Sequence, residues 1–302
     1  MELTLDPHAL DPAVVAKLPE KEQAILIDML EALRLDQARE DLNTYCRTIE
    51  IPGAPMQEDS CPAGDACDDP KCQGHEISTA FYPDTIEPAE HHQLINNILM
   101  KVEAKEVCTD TGNTFNRVMF FLPPGSAKST YGTVVFPTWY MGKNPRKNII
   151  TTSYASGLAS KFGRKCRSIT GSKIFNKIFN TGLRADNRAV HDWSLTNDAT
   201  FMAGGILSGI TGNRADGLVI DDPIKGREQA DSPTIREKTW EAYLTDLRTR
   251  IKPGGFILII QTRWHEHDLS GMILPDTWDG QSGWVNAKDG EAWYVVCLQA
   301  QC

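Results

Sequence analysis

Arg117-Val118-Met119-Phe120-Phe121-Leu122-Pro123-Pro124-Gly125-Ser126-Ala127-Lys128-Ser129-Thr130 decides the fold. It reads as an apolar strand, a short loop of small residues, a lysine and two hydroxyls. That is the layout of a cradle for a nucleoside triphosphate. Loop N–H groups face phosphate oxygens, the lysine adds a point charge at the β and γ phosphates, and the next hydroxyl reaches Mg²⁺. The strict pattern G-x-x-x-x-G-K wants glycine at the loop start and before the lysine; Leu122 and Ala127 stand there, and the one loop glycine is Gly125. A bare strand, Pro-Gly turn and helix accounts for the segment equally well when it is taken alone.

Two further strands converge on the same reading. Gly217-Leu-Val-Ile-Asp-Asp-Pro223 is a continuous apolar run ending in two carboxylates. A strand buried on both faces of a parallel sheet has this composition, and ligands sit beyond the C-terminal ends of such strands. Asp221 is therefore expected in the Mg²⁺ shell and Asp222 beside an attacking water. Pro253-Gly-Gly-Phe-Ile-Leu-Ile-Ile-Gln-Thr-Arg263 is a turn, a buried strand and a polar end. Gln261, Thr262 and Arg263 are placed to sense a γ-phosphate. An Asp-Asp-Pro turn and plain strand-end residues are the alternatives.

From residue 117 strands and helices alternate. Strands are predicted at 117–122, 147–153, 190–196, 217–222, 255–260 and 293–298, and helices at 128–140, 155–168, 172–180 and 232–249. This order implies a mostly parallel sheet covered on both faces. Residues 199–217 are glycine-rich and read as a hairpin or mobile loop. Upstream, helical spacing of Leu26, Met29, Leu30 and Leu33 predicts a packing helix over 13–45, and Leu94, Ile95, Ile98, Leu99 and Val102 predict another over 88–106. Residues 51–90 hold six prolines and many acids and read as loops.

The chain has 302 residues, 41% of them hydrophobic, and a net charge of −9. No apolar run is long enough for a membrane span and no signal pattern opens the chain, so a soluble intracellular protein without a membrane partner is expected. The charge is unevenly divided. Residues 1–100 carry 20 acidic and 6 basic side chains, which leaves 20 acidic and 25 basic for 101–302. Lys161, Arg164, Lys165, Arg167 and Lys173 are thus candidates to neutralise polynucleotide phosphates, a solvated helix face being the alternative.

Of eight cysteines, Cys61, Cys67 and Cys72 share a loop with His75, a set able to close a structural Zn²⁺ site. Disulfides or unliganded thiols are the alternatives. His265 and His267 read as the approach to a helix capped by Asp268 rather than as ligands. His91 and His92 read as surface residues.

Segments 121–130, 211–224, 247–255 and 261–269, taken together, resemble the large subunit of tailed-phage terminases, the DNA-packaging motors. The resemblance covers roughly residues 88–300. It implies a P-loop NTPase fold of the ASCE type, three layers around a mostly parallel sheet. A helical extension (1–50) and a loop-rich acidic segment (51–87) precede the ATPase domain (88–302). An RNase H-like nuclease domain would follow in such proteins; no carboxylate cluster for it remains here, so DNA cleavage is not expected, and a fragment or prophage remnant is one explanation.

By matching position, the resemblance gives ATP a cradle of Pro124, Gly125, Ser126, Ala127, Lys128, Ser129 and Thr130, with Gln93 as an adenine contact. Lys128 and Asp222 become catalytic, Asp222 standing where many relatives carry Glu. Ser129 and Asp221 bind Mg²⁺, and Gln261 and Thr262 couple hydrolysis to motion. Relatives often carry an arginine where Gly125 stands, which leaves Arg214, Arg250 and Arg263 as arginine-finger candidates. The expected activity is Mg²⁺-dependent ATP hydrolysis driving double-stranded DNA into a prohead. A portal protein and a small terminase subunit would be partners, the active form a homo-oligomeric ring, and the site of action the host cytoplasm. A helicase-like DNA-remodelling ATPase, or a remnant that binds ATP without turnover, are the other readings.

Overall fold

A computed structural model describes residues 17–53, 87–208, 210 and 212–299. The chain divides into two compact units, Met1–Pro88 and Ala89–Cys302. In the first, α1 (Glu20–Glu40) and α2 (Leu42–Thr48) are separated at Asp41, whose carboxylate accepts from the Thr44 N–H at 2.7 Å. That cap ends the single helix expected over 13–45, of which residues 13–16 lie outside the described residues. Within α1, Leu30 is buried but Ile25 and Met29 are more than half exposed, so the apolar stripe is not the covered face.

The second unit is built on one nine-stranded sheet. Its strands are β1 (Arg117–Phe121), β2 (Asn148–Ser153), β3 (Leu183–Arg188), β4 (Asp192–Leu195), β5 (Thr200–Gly205), β6 (Ala215–Asp221), β7 (Ile251–Gln261), β8 (Gly283–Asn286) and β9 (Ala292–Cys297). Their order is β3-β4-β5-β2-β6-β7-β1-β9-β8. The six from β5 to β9 run parallel, and β3–β4 and β8 add antiparallel edges. Helices lie on both sides. α3 (Glu90–Ala104), α5 (Ser156–Thr170) and α6 (Lys173–Phe179) are joined on one side by a wide π turn, Thr130–Val135, that runs into α4 (Phe136–Lys143). On the other side α7 (Arg227–Ala230) precedes α8 (Pro233–Ala242), a π turn Tyr243–Leu247 and a 3-10 turn Arg248–Arg250, and α9 (Leu269–Ile273) follows β7. This is the three-layer P-loop fold.

The apolar runs explain the layers. Ile257 and Ile259 of β7 pack with Met119, Leu218, Tyr243 and Leu247 on one face. Phe256 points the other way, against Phe136 and Tyr140 at 5.6 and 5.1 Å. Both faces are dry, which is why β1, β6 and β7 read as unbroken apolar stretches.

The structure corrects the sequence reading in four places. Residues 200–205 of the glycine-rich stretch form β5, an interior strand between β4 and β2. β3 and β8, unforeseen, complete the edges. β7 begins at Ile251, and Lys252–Gly255 bulge out of its pairing with β6. The bulge is held by Lys252 Nζ on Asp216 (2.8 Å) and by the Gly255 carbonyl accepting from Arg117 (3.0 Å). The helix expected to 249 leaves α geometry at Tyr243. Among the described residues no helix is long and apolar enough to cross a membrane. Cys61, Cys67, Cys72 and His75 lie outside the described residues; Cys108, Cys166 and Cys297 are free thiols.

Candidate functional site

The C-terminal ends of β1, β6 and β7 meet at one edge of the sheet, because the three strands are parallel neighbours. The loop after β1 turns over this edge by two left-handed residues, Gly125 (φ 81°) and Ala127 (φ 55°). Glycine adopts that region at little cost; alanine does so against its Cβ. The geometry that the strict pattern secures with a glycine before the lysine is therefore present, held by an alanine.

Lys128 is only 6% exposed. Its Nζ donates to Thr262 Oγ1 (2.9 Å) and lies 3.9 Å from Asp222 Oδ2. Thr262 Oγ1 in turn donates to the Leu122 carbonyl (3.1 Å), so the end of β7 grips both ends of the loop. Asp221 is fully buried and accepts from Ser129 Oγ (2.9 Å) and from Thr133 Oγ1 in the π turn. Burial, and then the neighbouring Asp222, push its carboxyl up to about 7, against the pull of the two hydroxyls and Lys128. Asp222 has a left-handed φ of 39° and accepts from the Thr262 N–H at 3.0 Å.

Pro124, Gly125, Lys128, Tyr154, Asp222 and Thr262 are among the walls of a cleft of about 430 Å³. Among the described residues, Lys225 is the one other cation on its walls besides Lys128. A larger cleft of about 710 Å³ lies across Trp264, lined by Arg263, His267 and Trp278. None of the loop lines it, so the smaller cleft is the phosphate candidate.

The other predicted site residues fall in different places. Gln261 is buried and donates to Asp268 Oδ2 (3.2 Å), behind the cleft. Arg263 is committed to the same carboxylate at 2.6 Å and stacks over Phe121 and Trp278. Asp268 also caps α9 through the Gly271 N–H, as its position suggested. Arg214 and Arg250 directly precede β6 and β7 and so lie at the opposite edge of the sheet. Six residues of strand, about 20 Å, separate Arg214 from the carboxylates. Neither reaches its own cleft. Gln93 lies in the first turn of α3.

His92, read as a surface residue, sits at the loop. Its Nε2 is 2.9 Å from the Ser126 carbonyl, and its ring stacks on Tyr131 at 4.2 Å. Burial holds its pKa below the ordinary histidine value, outweighing the Ser126 contact. The neutral ring then donates Nε2–H to the carbonyl. The contact joins residues 34 apart, so no local pattern announces it.

As a chemical arrangement, the cleft offers backbone N–H groups, a buried lysine, an aliphatic hydroxyl beside a buried carboxylate, and a second carboxylate at its rim. Comparison with known proteins places the chain in a family. The family described as terminase large subunit, T4likevirus-type, N-terminal, matches residues 119–290, more than half of the chain. Among solved structures, the large terminase from the thermophilic bacteriophage D6E in complex with ATP-gamma-S is similar over 54% of this chain, with 10% identity and a TM-score of 0.30. The match spans 36% of that protein's length. No curated protein sequence matches.

Proposed function

The chain belongs to the terminase large-subunit family of the T4likevirus type, through that family's N-terminal part, and from that premise we propose that it is a Mg²⁺-dependent ATPase that drives double-stranded DNA into a prohead. The observation that carries the reading is the meeting of Lys128, Ser129, Asp221, Asp222 and Thr262 at one strand edge, joined by contacts of 2.9–3.9 Å. In this reading residues 88–302 form the ATPase domain, and the cradle 124–130 binds the triphosphate.

The residues fit Mg²⁺. Asp221 is a fully buried carboxylate whose charged form is disfavoured as it stands, beside the hard oxygen of Ser129. Such a pair suits a small divalent cation that keeps several waters. Ser129 and Asp221 would hold it; when bound, Mg²⁺ supplies positive charge to the β- and γ-phosphate oxygens. Lys128 leaves Thr262 to meet the same phosphates. Asp222, fixed by the Thr262 N–H, orients the attacking water and accepts its proton. Its carboxylate is one methylene shorter than glutamate but still lines the cleft. Thr262 registers whether the γ-phosphate is present, and Gln261 passes the change to Asp268 and α9. With no arginine on the cleft walls among the described residues, a neighbouring copy in a ring supplies that charge from Arg214 or Arg250. Portal protein and small terminase subunit are the expected partners, in the host cytoplasm.

ATP hydrolysis by the chain with Mg²⁺, beside Lys128→Ala and Asp221→Ala, tests the assignment. Both substitutions are expected to lower turnover by about 100-fold or more. Undiminished turnover in Lys128→Ala overturns it.

A further inference from the structure

Between Thr111 and Ala185 the sequence contains no Asp or Glu and twelve Lys or Arg. In a chain of net charge −9 this is a pronounced separation of sign. Part of it has local partners: Lys128 serves the loop, Lys147 binds Asp216 and Lys143 binds Glu103. Arg117, Arg146 and Arg184 lie elsewhere, and the other six are on α5 and α6.

On α5, after the exposed first residue Ser156, the exposed positions are Gly157, Lys161, Arg164 and Ser168, at helical spacing, while Ala159, Phe162, Cys166 and Ile169 are buried on the opposite face. Lys165 and Arg167 flank the exposed stripe. α6 adds exposed Lys173 and Lys177. Arg167, Lys173, Lys177 and Arg184 line a cleft of about 680 Å³ with no carboxylate among its described walls. Arg184 is held by Asp186 and Asp198 and is discounted. Among the described residues, Lys161, Arg164, Lys165, Arg167 and Lys173 form no ion pair. An ordinary solvated surface intersperses both signs; this one does not.

We propose that the α5–α6 face is where the second unit takes the phosphate backbone of duplex DNA. Concentrated, unpaired cations bind a polyanion by releasing its counterions. Of the rings on α5 and α6, Phe162 and Phe175 are buried and the half-buried Phe179 is packed on Phe175 at 5.0 Å, so neither helix offers a fully exposed ring of the kind on which single strands stack. A duplex, with its bases inside and phosphates outside, fits a surface of cations alone. The face also has a direct line to the cleft. α5 opens two residues after Tyr154, which lines the cleft and whose N–H donates to the Asp222 carbonyl at 3.1 Å. The choice of DNA as the polyanion rests on the motor reading above.

The test uses the full chain. Binding of a labelled 30-base-pair duplex is followed by anisotropy across a KCl series, with a single strand of equal length in parallel. The triple substitution Lys161→Gln, Arg164→Gln, Lys173→Gln is compared with Lys21→Gln, Lys105→Gln, Lys238→Gln, which removes the same charge elsewhere. The first set is expected to weaken duplex binding by at least about tenfold and to flatten the log–log salt slope by about three; the second should leave the slope within about one. Basal ATP turnover should be equal in all, and stimulation by duplex should vanish only in the first set. Equal loss in both sets, tighter binding of the single strand, or no duplex binding by the parent chain overturns the proposal. Duplex stimulation that survives the first set sinks the surface and leaves the motor. Absent turnover with binding still lost in the first set sinks the motor and supports the surface.

Discussion

Ala127 holds its left-handed φ against a cost of about 1–2 kcal/mol for an L-residue. Glycine removes that cost and adds back some unfolded-chain entropy. Ala127→Gly is therefore expected to stabilise the protein by about 0.5–1 kcal/mol, read as a higher urea midpoint with unchanged slope. Asp221 makes a pH prediction. Its folded-state pKa, about 7, lies above the ordinary value of 3.8, so the folded state holds a proton that the unfolded chain releases. Its contribution is fully present below about pH 4 and is lost as pH rises through 7. The nucleotide-free protein should thus lose roughly 3 kcal/mol between pH 4 and 7.5 from this group, and Asp221→Asn should flatten the curve. A parent profile that rises over this range, with no difference in Asp221→Asn, would contradict it. At this scale much of the site was readable, because lysine, hydroxyl and carboxylates follow apolar strands in a telling order. His92 was not, since its contact with Ser126 exists only after α3 and the loop have packed.

The elements were legible where burial on both sides forces composition, as in β1, β6 and β7. β5 was not. Thr200–Gly205 has intermediate and buried positions in alternation and ends in two glycines, which look like a loop until its partners are known. Gly205 is explained by packing, since a Cβ there would lie 2.8 Å from Ser156 Oγ and 2.9 Å from its N, at the start of α5. The bulge in β7 also escaped, because it depends on Asp216 and Arg117 from neighbouring strands. α9 shows a local signal and a distant one sharing a side chain: Asp268 caps the helix and pairs with Arg263 and Gln261. Burial raises its carboxyl while Arg263 pulls it back. Asp268→Ala removes the carboxylate shared by Arg263 and Gln261, leaving Arg263 with its bonds to the His265 and Glu266 carbonyls, and should cost about 3 kcal/mol in a denaturant titration. A loss below about 1 kcal/mol would mean the cap alone matters.

At the scale of the molecule, the sheet, the loop and every described candidate of the phosphate site belong to Ala89–Cys302. Residues 89–302 expressed alone should unfold in one cooperative transition and bind nucleotide as the full chain does, checked by calorimetry and titration. Loss of cooperative unfolding would show that the first unit is required for the fold. The division of charge has the same boundary in view: the acidic third of the chain and the basic remainder were visible as counts, whereas the face on which the cations gather required α5 and α6 to be placed.

In the proposed reading, the bond from Lys128 to Thr262 makes nucleotide capture a substitution. A triphosphate arriving at the loop competes with a hydroxyl already bound to the lysine, so its observed affinity is a difference between two partners, and the same hydroxyl stands ready to reclaim the lysine as product departs. On that reading threonine at 262 trades tightness for turnover. Thr262→Val should tighten ADP several-fold and slow its release in stopped-flow measurements, while unchanged release would show that the lysine gives up its resting partner at no cost.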